Sequence, residues 1–161
     1  MYPIIRAIKP EEYLLLEDFL YHAIFLPEGA APVSREIIYE PEIFIYVKDF
    51  GGESDYGVVA EIEGIVVGAA WARIISAYGN IDDETPELAI SILPSWRDKG
   101  IGTKLMVALF GMLKDNGYVQ TSLSVQQNNP AVEFYKRLGY VVTAEKQDHA
   151  GNEDYIMVKV L

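Results

Sequence analysis

Residues 97–102 read Arg-Asp-Lys-Gly-Ile-Gly, where an apolar run, "ELAISIL" at 87–93, gives way after Pro94 to a helical spacing of apolar residues. A guanidinium, an ammonium and two glycines at a helix start are the parts of an anion seat. The first turn of a helix presents unpaired N–H groups and the positive end of the helix dipole. Glycines in front of it let phosphate oxygens approach those N–H groups closely. Arg97 can add a two-pronged contact and Lys99 a flexible point charge. The chemistry this suits is retention of the diphosphate of a nucleotide-bearing cofactor. Two familiar phosphate patterns fail: the dinucleotide fingerprint wants a third glycine where Leu105 stands, and the mononucleotide loop wants Gly-Lys-Ser/Thr where Gly102 is followed by Thr103-Lys104-Leu105. Gly-x-Gly alone also serves any strand-to-helix turn, so a purely geometric role stays open at this point.

The rest of the composition narrows the classes. A chain of 161 residues is most simply one domain with a substantial core. It has no cysteine, which excludes a disulfide framework, a thiolate metal site and a cysteine acyl-enzyme. The formal net charge of −11 argues against a general nucleic-acid binder, which needs a basic surface. It does not exclude one anionic ligand, because surface charges beyond about 8 Å are largely screened at physiological salt. A cationic substrate would meet a favourable field over most of the surface. The start lacks a secretory pattern, and the longest apolar run, "IVVGAAWA", is far short of the roughly 20 residues that span a bilayer. The expectation is a soluble, cytoplasmic protein with no membrane partner.

The elements that must position the turn follow from periodicity and punctuation. "YPIIRAI" predicts a first strand. Residues 9–25 predict a helix opened by Pro10 and two glutamates, and 34–50 a helical stretch divided by Pro41. Residues 56–77 read as a hairpin turning at "IEGI", 78–86 as an acidic loop, and 87–93 as a strand. Ile101, Leu105, Ala108, Leu109, Met112 and Leu113 share a helical face that Asn116-Gly117 ends. A strand at 118–126 and a helix at 129–139 follow, the helix with Asn129 as its cap, Pro130 in its first turn and Gly139 past its end. A hairpin over "DHAGN" closes the chain. This order predicts an α+β fold whose mixed sheet contains a parallel crossover.

Arg97-Asp98-Lys99-Gly100-Ile101-Gly102 matches the Arg/Gln-x-x-Gly-x-Gly/Ala signature of the GNAT superfamily of N-acetyltransferases. "NNPAVEFYKRLGYV" resembles that family's second landmark through Asn128, Ala131, Phe134, Tyr135, Leu138, Gly139 and Tyr140. The resemblance is strongest over residues 87–142 and extends in element order over 1–161. It implies one GNAT domain, a mostly antiparallel sheet with a splayed central parallel strand pair flanked by helices, and acetyl-coenzyme A as cofactor. It implies that the cofactor is held by Ile92, Leu93, Arg97, Asp98, Lys99, Gly100, Ile101, Gly102, Thr103 and Asn128. A bulge in the 87–93 strand would open the wedge that takes the pantetheine arm, with an N–H near Ile92 facing the thioester carbonyl. The reaction implied is direct transfer of acetyl to a primary amine, without a protein-bound intermediate.

An alkyl amine with pKa near 10 is mostly protonated at neutral pH, so a group must remove a proton. By position in the family, Glu87 is the candidate base and Tyr135 the candidate proton donor to the departing thiolate. Read without the family, Glu87 is a solvated residue of the acidic loop and Tyr135 a core tyrosine whose hydroxyl finds a partner. Arg73 reads as a strand-end charge that reaches water or else faces the acceptor pocket, Tyr46, Tyr56 and Tyr78 as pocket lining or packing, and His22 and His149 as lone histidines with no metal to hold. The acceptor has no sequence signature, the acidic balance tilts it toward a cation, and relatives commonly dimerise. A binding module that keeps the cofactor but lacks catalysis is the competing reading.

Overall fold

The computed structural model describes residues 2–161. Seven strands form one sheet in the order β1-β2-β3-β4-β5-β7-β6. They are β1 (Ile4–Ala7), β2 (Tyr56–Ile62), β3 (Ile65–Arg73), β4 (Glu87–Ile92), β5 (Gln120–Gln126), β6 (Val141–Gln147) and β7 (Glu153–Val160). Every neighbouring pair is antiparallel except β4 and β5, the parallel pair joined by α3 (Ile101–Asp115). Fifteen residues of helix let the chain return to the same edge, which a tight turn cannot do.

The strands' side-chain alternation divides the core. Val58, Ala60, Ala70, Ala72, Leu88 and Leu123 face α3, whose Leu105, Met106, Leu109 and Leu113 are completely buried. Val59, Ala69 and Trp71 face the other way, onto Leu16, Phe19 and Leu20 of α1 (Leu15–Ala23) and onto Ile38. Each large side chain sealed in this way contributes about 1.5–3 kcal/mol. The β2–β3 hairpin turns through Glu63 and Gly64, both at positive φ (51° and 81°), the pairing a twisted two-residue hairpin requires.

Three expectations need adjustment. The predicted 9–25 helix is a 3-10 turn, Pro10–Glu12, followed by α1. Glu12 closes back on the Lys9 N–H (2.9 Å) and pairs with Arg6 (2.7 Å), which tightens that first turn. The 34–50 stretch is a 3-10 turn (Arg35–Tyr39), then α2 (Pro41–Phe44), then turns, because Pro41 cannot donate into a continuous helix. The bulge expected in β4 is not there. The β3–β4 ladder runs in constant register from Glu87 to Ile92, and the slip lies in β3 at Val67, between the Ala60–Gly68 and Glu61–Val66 pairs.

Candidate active site

The parallel pair is joined at one end only. Glu87 is the single β4 residue in register with β5, opposite Ser122, and beyond it the two strands diverge. The Leu93 N–H donates to the Val67 carbonyl (2.9 Å), which fixes the alternation of the β3–β4 ladder. Glu87, Ala89, Ser91 and Leu93 therefore bond to β3, while Ile90 and Ile92 turn their N–H groups toward β5, which has moved away. The result is a wedge with backbone donors on its wall. It opens into a cleft of about 800 Å³ between β4, the start of α3, the end of α1 and α4 (Ala131–Arg137).

The glycine turn forms one rim of this cleft. Asp98 and Gly100 are both left-handed (φ 60° and 80°), and Gly100 caps α3 without any side-chain bond. The first intrahelical bond runs from the Lys104 N–H to the Gly100 carbonyl (3.4 Å), so the N–H groups of Ile101, Gly102 and Thr103 are left for an external acceptor. Gly102 is needed for packing as well: a Cβ there would lie 3.2 Å from Phe134 Cζ and 3.4 Å from Ile92 Cδ1. Arg97 donates through Nε to the Ile92 carbonyl (2.9 Å) and through one terminal nitrogen to the His22 carbonyl (2.9 Å). It thus ties the open end of β4 to the end of α1 while its remaining N–H groups edge the cleft. Asp98, Gly100 and Thr103 also line the cleft, and Lys99 is exposed beside it.

Two predicted cofactor residues lie elsewhere. Leu93 spends its N–H on Val67 and packs toward α1, on the face away from α3. Asn128 is exposed and outside the cleft lining; its neighbour Asn129 lines the cleft and accepts from the Ala131 N–H (2.9 Å) as the cap of α4. Arg137, at the end of α4, also lines the cleft; the sequence carries no signal of this, because a basic residue in a last helical turn equally satisfies the helix dipole.

At the closed end, Glu87 is 1% exposed, not the solvated residue of the alternative reading. Its Oε2 accepts from the Tyr46 hydroxyl and from the Gly79 N–H (3.0 Å). Its Oε1 is buried without a partner among the described residues. Burial pushes the carboxyl up to about 7, against the pull of the Tyr46 and Gly79 donors. Gly79 threads the preceding loop into the base of the wedge: a Cβ there would sit 2.8 Å from the backbone of Leu123 and Ser124. Arg73 does not reach water; it is 8% exposed, forks onto both Asp55 oxygens (3.0 Å each) and donates to the Ile45 and Lys48 carbonyls.

Tyr135 lines the cleft from α4, edge-on to Tyr140 (5.8 Å) and tilted against Phe134 (5.5 Å). Burial alone raises its hydroxyl to about 12, so it stays protonated as a donor must. Outside this cleft, His149 has the partners its sequence position did not suggest: it stacks on Tyr78, bonds its hydroxyl through Nδ1, and reaches Glu40 through Nε2 (2.8 Å). This joins the β6–β7 turn to the start of α2, with Glu42 alongside.

Free helix-start amides, outward-turned strand amides and a long cleft between them suit a ligand with a diphosphate and an extended amide-bearing arm. The GNAT acetyltransferase family model matches residues 18–140. An uncharacterized N-acetyltransferase of Bacillus subtilis, YjcF, is 30% identical over 139 residues, covering 86% of each chain. The PaiA N-acetyltransferase of Thermoplasma acidophilum, solved with coenzyme A, superposes with a TM-score of 0.68 at 19% identity over all of both chains. A phosphinothricin acetyltransferase of Sinorhizobium meliloti, solved with acetyl-coenzyme A, gives 0.69 at 19% identity, covering 100% of this chain and 89% of that one. The chain belongs to the GNAT acetyltransferase family. It is accordingly an acetyl-coenzyme-A-dependent acyltransferase, with the family's mixed sheet and splayed strand pair. Among the described residues no helix is long and apolar enough to cross a membrane.

Proposed function

We propose that this enzyme acetylates a primary amine directly, in a ternary complex, with Glu87 accepting the amine's proton and Tyr135 donating one to the departing thiolate. The observation that carries this reading is the Glu87 carboxylate: sealed from solvent, raised to about 7, and with one oxygen unpartnered at the apex of the wedge. A general base works best when its pKa lies near the operating pH.

Acetyl-coenzyme A supplies an activated acyl carbon on a thiol leaving group. The amides of Ile101, Gly102 and Thr103, with Arg97 and the Asp98-Lys99-Gly100 turn, would hold its diphosphate. The Ile90 and Ile92 amides would hold its pantetheine arm, with Ile92 nearest the reacting carbonyl. Arg97 does two things from one side chain, fixing the strand end through the Ile92 carbonyl while offering its other N–H groups to phosphate. Tyr135 and Phe134 exclude water from the wall facing β4. The acceptor is an amine, and the exposed carboxylates of Glu40 and Glu42 beside the small cavity under Tyr78 favour a cationic one.

The test is thiol release from acetyl-coenzyme A against a panel of mono-, di- and polyamines, amino acids and peptide amines, with calorimetry of coenzyme A alone. Turnover that Glu87→Gln lowers roughly 10²–10⁴-fold at unchanged cofactor affinity supports the reading. Tight cofactor binding without turnover on any amine overturns it in favour of a binding module.

A further inference from the structure

Glu87 is reached from a segment 41 residues earlier in the chain, through the Tyr46 hydroxyl. The Tyr46 and Gly79 donors converge on the same oxygen, Oε2, and leave Oε1 with none. This one-sidedness is held in place by β3. The Trp71 indole N–H donates to the Tyr46 carbonyl (2.9 Å). Arg73, two residues on and so on the same face of the strand, donates to the carbonyls of Ile45 (3.0 Å) and Lys48 (2.8 Å) and is itself gripped by Asp55. Residues 45–48 follow the last residue of α2; the Val47 carbonyl accepts from the Phe50 N–H, and those of Ile45, Tyr46 and Lys48 take these β3 side-chain donors. Arg73 is also the cross-strand partner of Glu87, so one strand anchors both the carboxylate's neighbour and the segment that reaches over it.

We propose that Tyr46 is a positioning residue for the transfer reaction: with the Gly79 amide it locks Oε2 and so assigns Oε1 as the oxygen that takes the acceptor's proton. This rests on the reading of Glu87 as the base. In the step, an ammonium N–H bond breaks, its electron pair stays on nitrogen, and an O–H bond forms at Oε1. The proton later leaves to solvent. A hydroxyl that bonds the charged form stabilises it and offsets part of the burial that raises the carboxyl. The groups facing Glu87 are Tyr46 from the segment after α2, the Ala77 and Gly79 amides from the loop before β4, Ser122 from β5, Lys146 from β6 and Arg73 from β3. Arg73 is already paired with Asp55, so against burial the charged form of Glu87 is held first by the Tyr46 hydroxyl, then by the Gly79 amide, with Lys146 adding less.

The experiment is carboxyl-carbon NMR of the full chain labelled in glutamate, with the Glu87 signal identified by its loss in Glu87→Gln. No acceptor is needed. The native signal titrates near 7, and in Tyr46→Phe its midpoint rises by about one unit, a tenfold change in proton affinity. The acid limb of kcat/KM moves up with it, and the plateau above that limb falls, because the ionised carboxylate is no longer locked with Oε1 toward the acceptor. An unmoved midpoint in folded Tyr46→Phe overturns the proposal. If that variant does not fold, the ring-carbon signal of Tyr46 in the native protein decides: it must shift at the Glu87 midpoint, and this inflection must vanish in Glu87→Gln. No inflection overturns the proposal equally. If Glu87→Gln retains the acid limb of turnover, the base assignment itself fails, an outcome distinct from either NMR result.

Discussion

The two ends of β4 are built from the same strand by opposite means. At Glu87 the strand is paired on both sides, the preceding loop is wedged beneath it, and the chemistry is carried by a buried side chain. At Ile92 the strand is paired on one side only, its side chain is ordinary aliphatic packing, and the chemistry lies in a backbone amide. The closed end can perturb a titratable group because it excludes water. The open end can bind an extended ligand because it leaves donors unspent. A wedge closed at both ends would bind nothing, and one open at both ends would leave Glu87 an ordinary solvated carboxylate.

The sharpest way to break this contrast is at its glycines. Gly79→Ala forces a Cβ to 2.8 Å from the backbone of Leu123 and Ser124, and a cost of about 3–4 kcal/mol in urea unfolding is expected. Gly100→Ala meets nothing within 4 Å and carries only the strain of φ 80°, about 1–2 kcal/mol. Equal losses would mean that the closed end is not close-packed.

Next is the pH dependence of Glu87. Its folded-state pKa, about 7, lies above its ordinary 4.5, so its contribution favours the fold in acid and is lost as pH rises from about 4.5 through about 7. Glu87→Gln keeps both donors satisfied and removes that loss. Relative to the native chain it should therefore gain up to about 3 kcal/mol at pH 8 and nothing at pH 4. Identical stability curves across pH would show that water reaches the carboxylate.

At the open end, Arg97→Ala should weaken coenzyme A binding roughly tenfold, about 1.4 kcal/mol, with less effect on turnover at saturation. Arg97→Lys should not restore it, because one ammonium cannot span the Ile92 and His22 carbonyls. Calorimetry decides both. The smallest effects separate two neighbours: Asn129→Ala should cost about 1 kcal/mol as a lost helix cap, and Asn128→Ala less than about 0.5 kcal/mol, with cofactor affinity following the same order.

The sequence by itself determined the element order, the α+β fold, the parallel crossover, and the strand, turn and helix around Gly100 and Gly102. Those properties depend on local spacing: a helical face in 101–113, alternation in 87–93, glycine where φ must be positive. It also singled out Glu87, at the paired end of β4, and Tyr135, in the cleft lining. Tertiary structure alone decided that Glu87 is buried, that Tyr46 and Gly79 bind one of its oxygens, and that Arg73 turns inward to Asp55. It likewise gave His149 the partners Tyr78 and Glu40, put Asn129 in the cleft lining rather than Asn128, and moved the bulge from β4 to β3. Each of these depends on a contact between residues far apart in the chain or on the register of two strands. A one-dimensional pattern carries no distance between segments, so burial and the titration it sets appear only when the sheet closes over them.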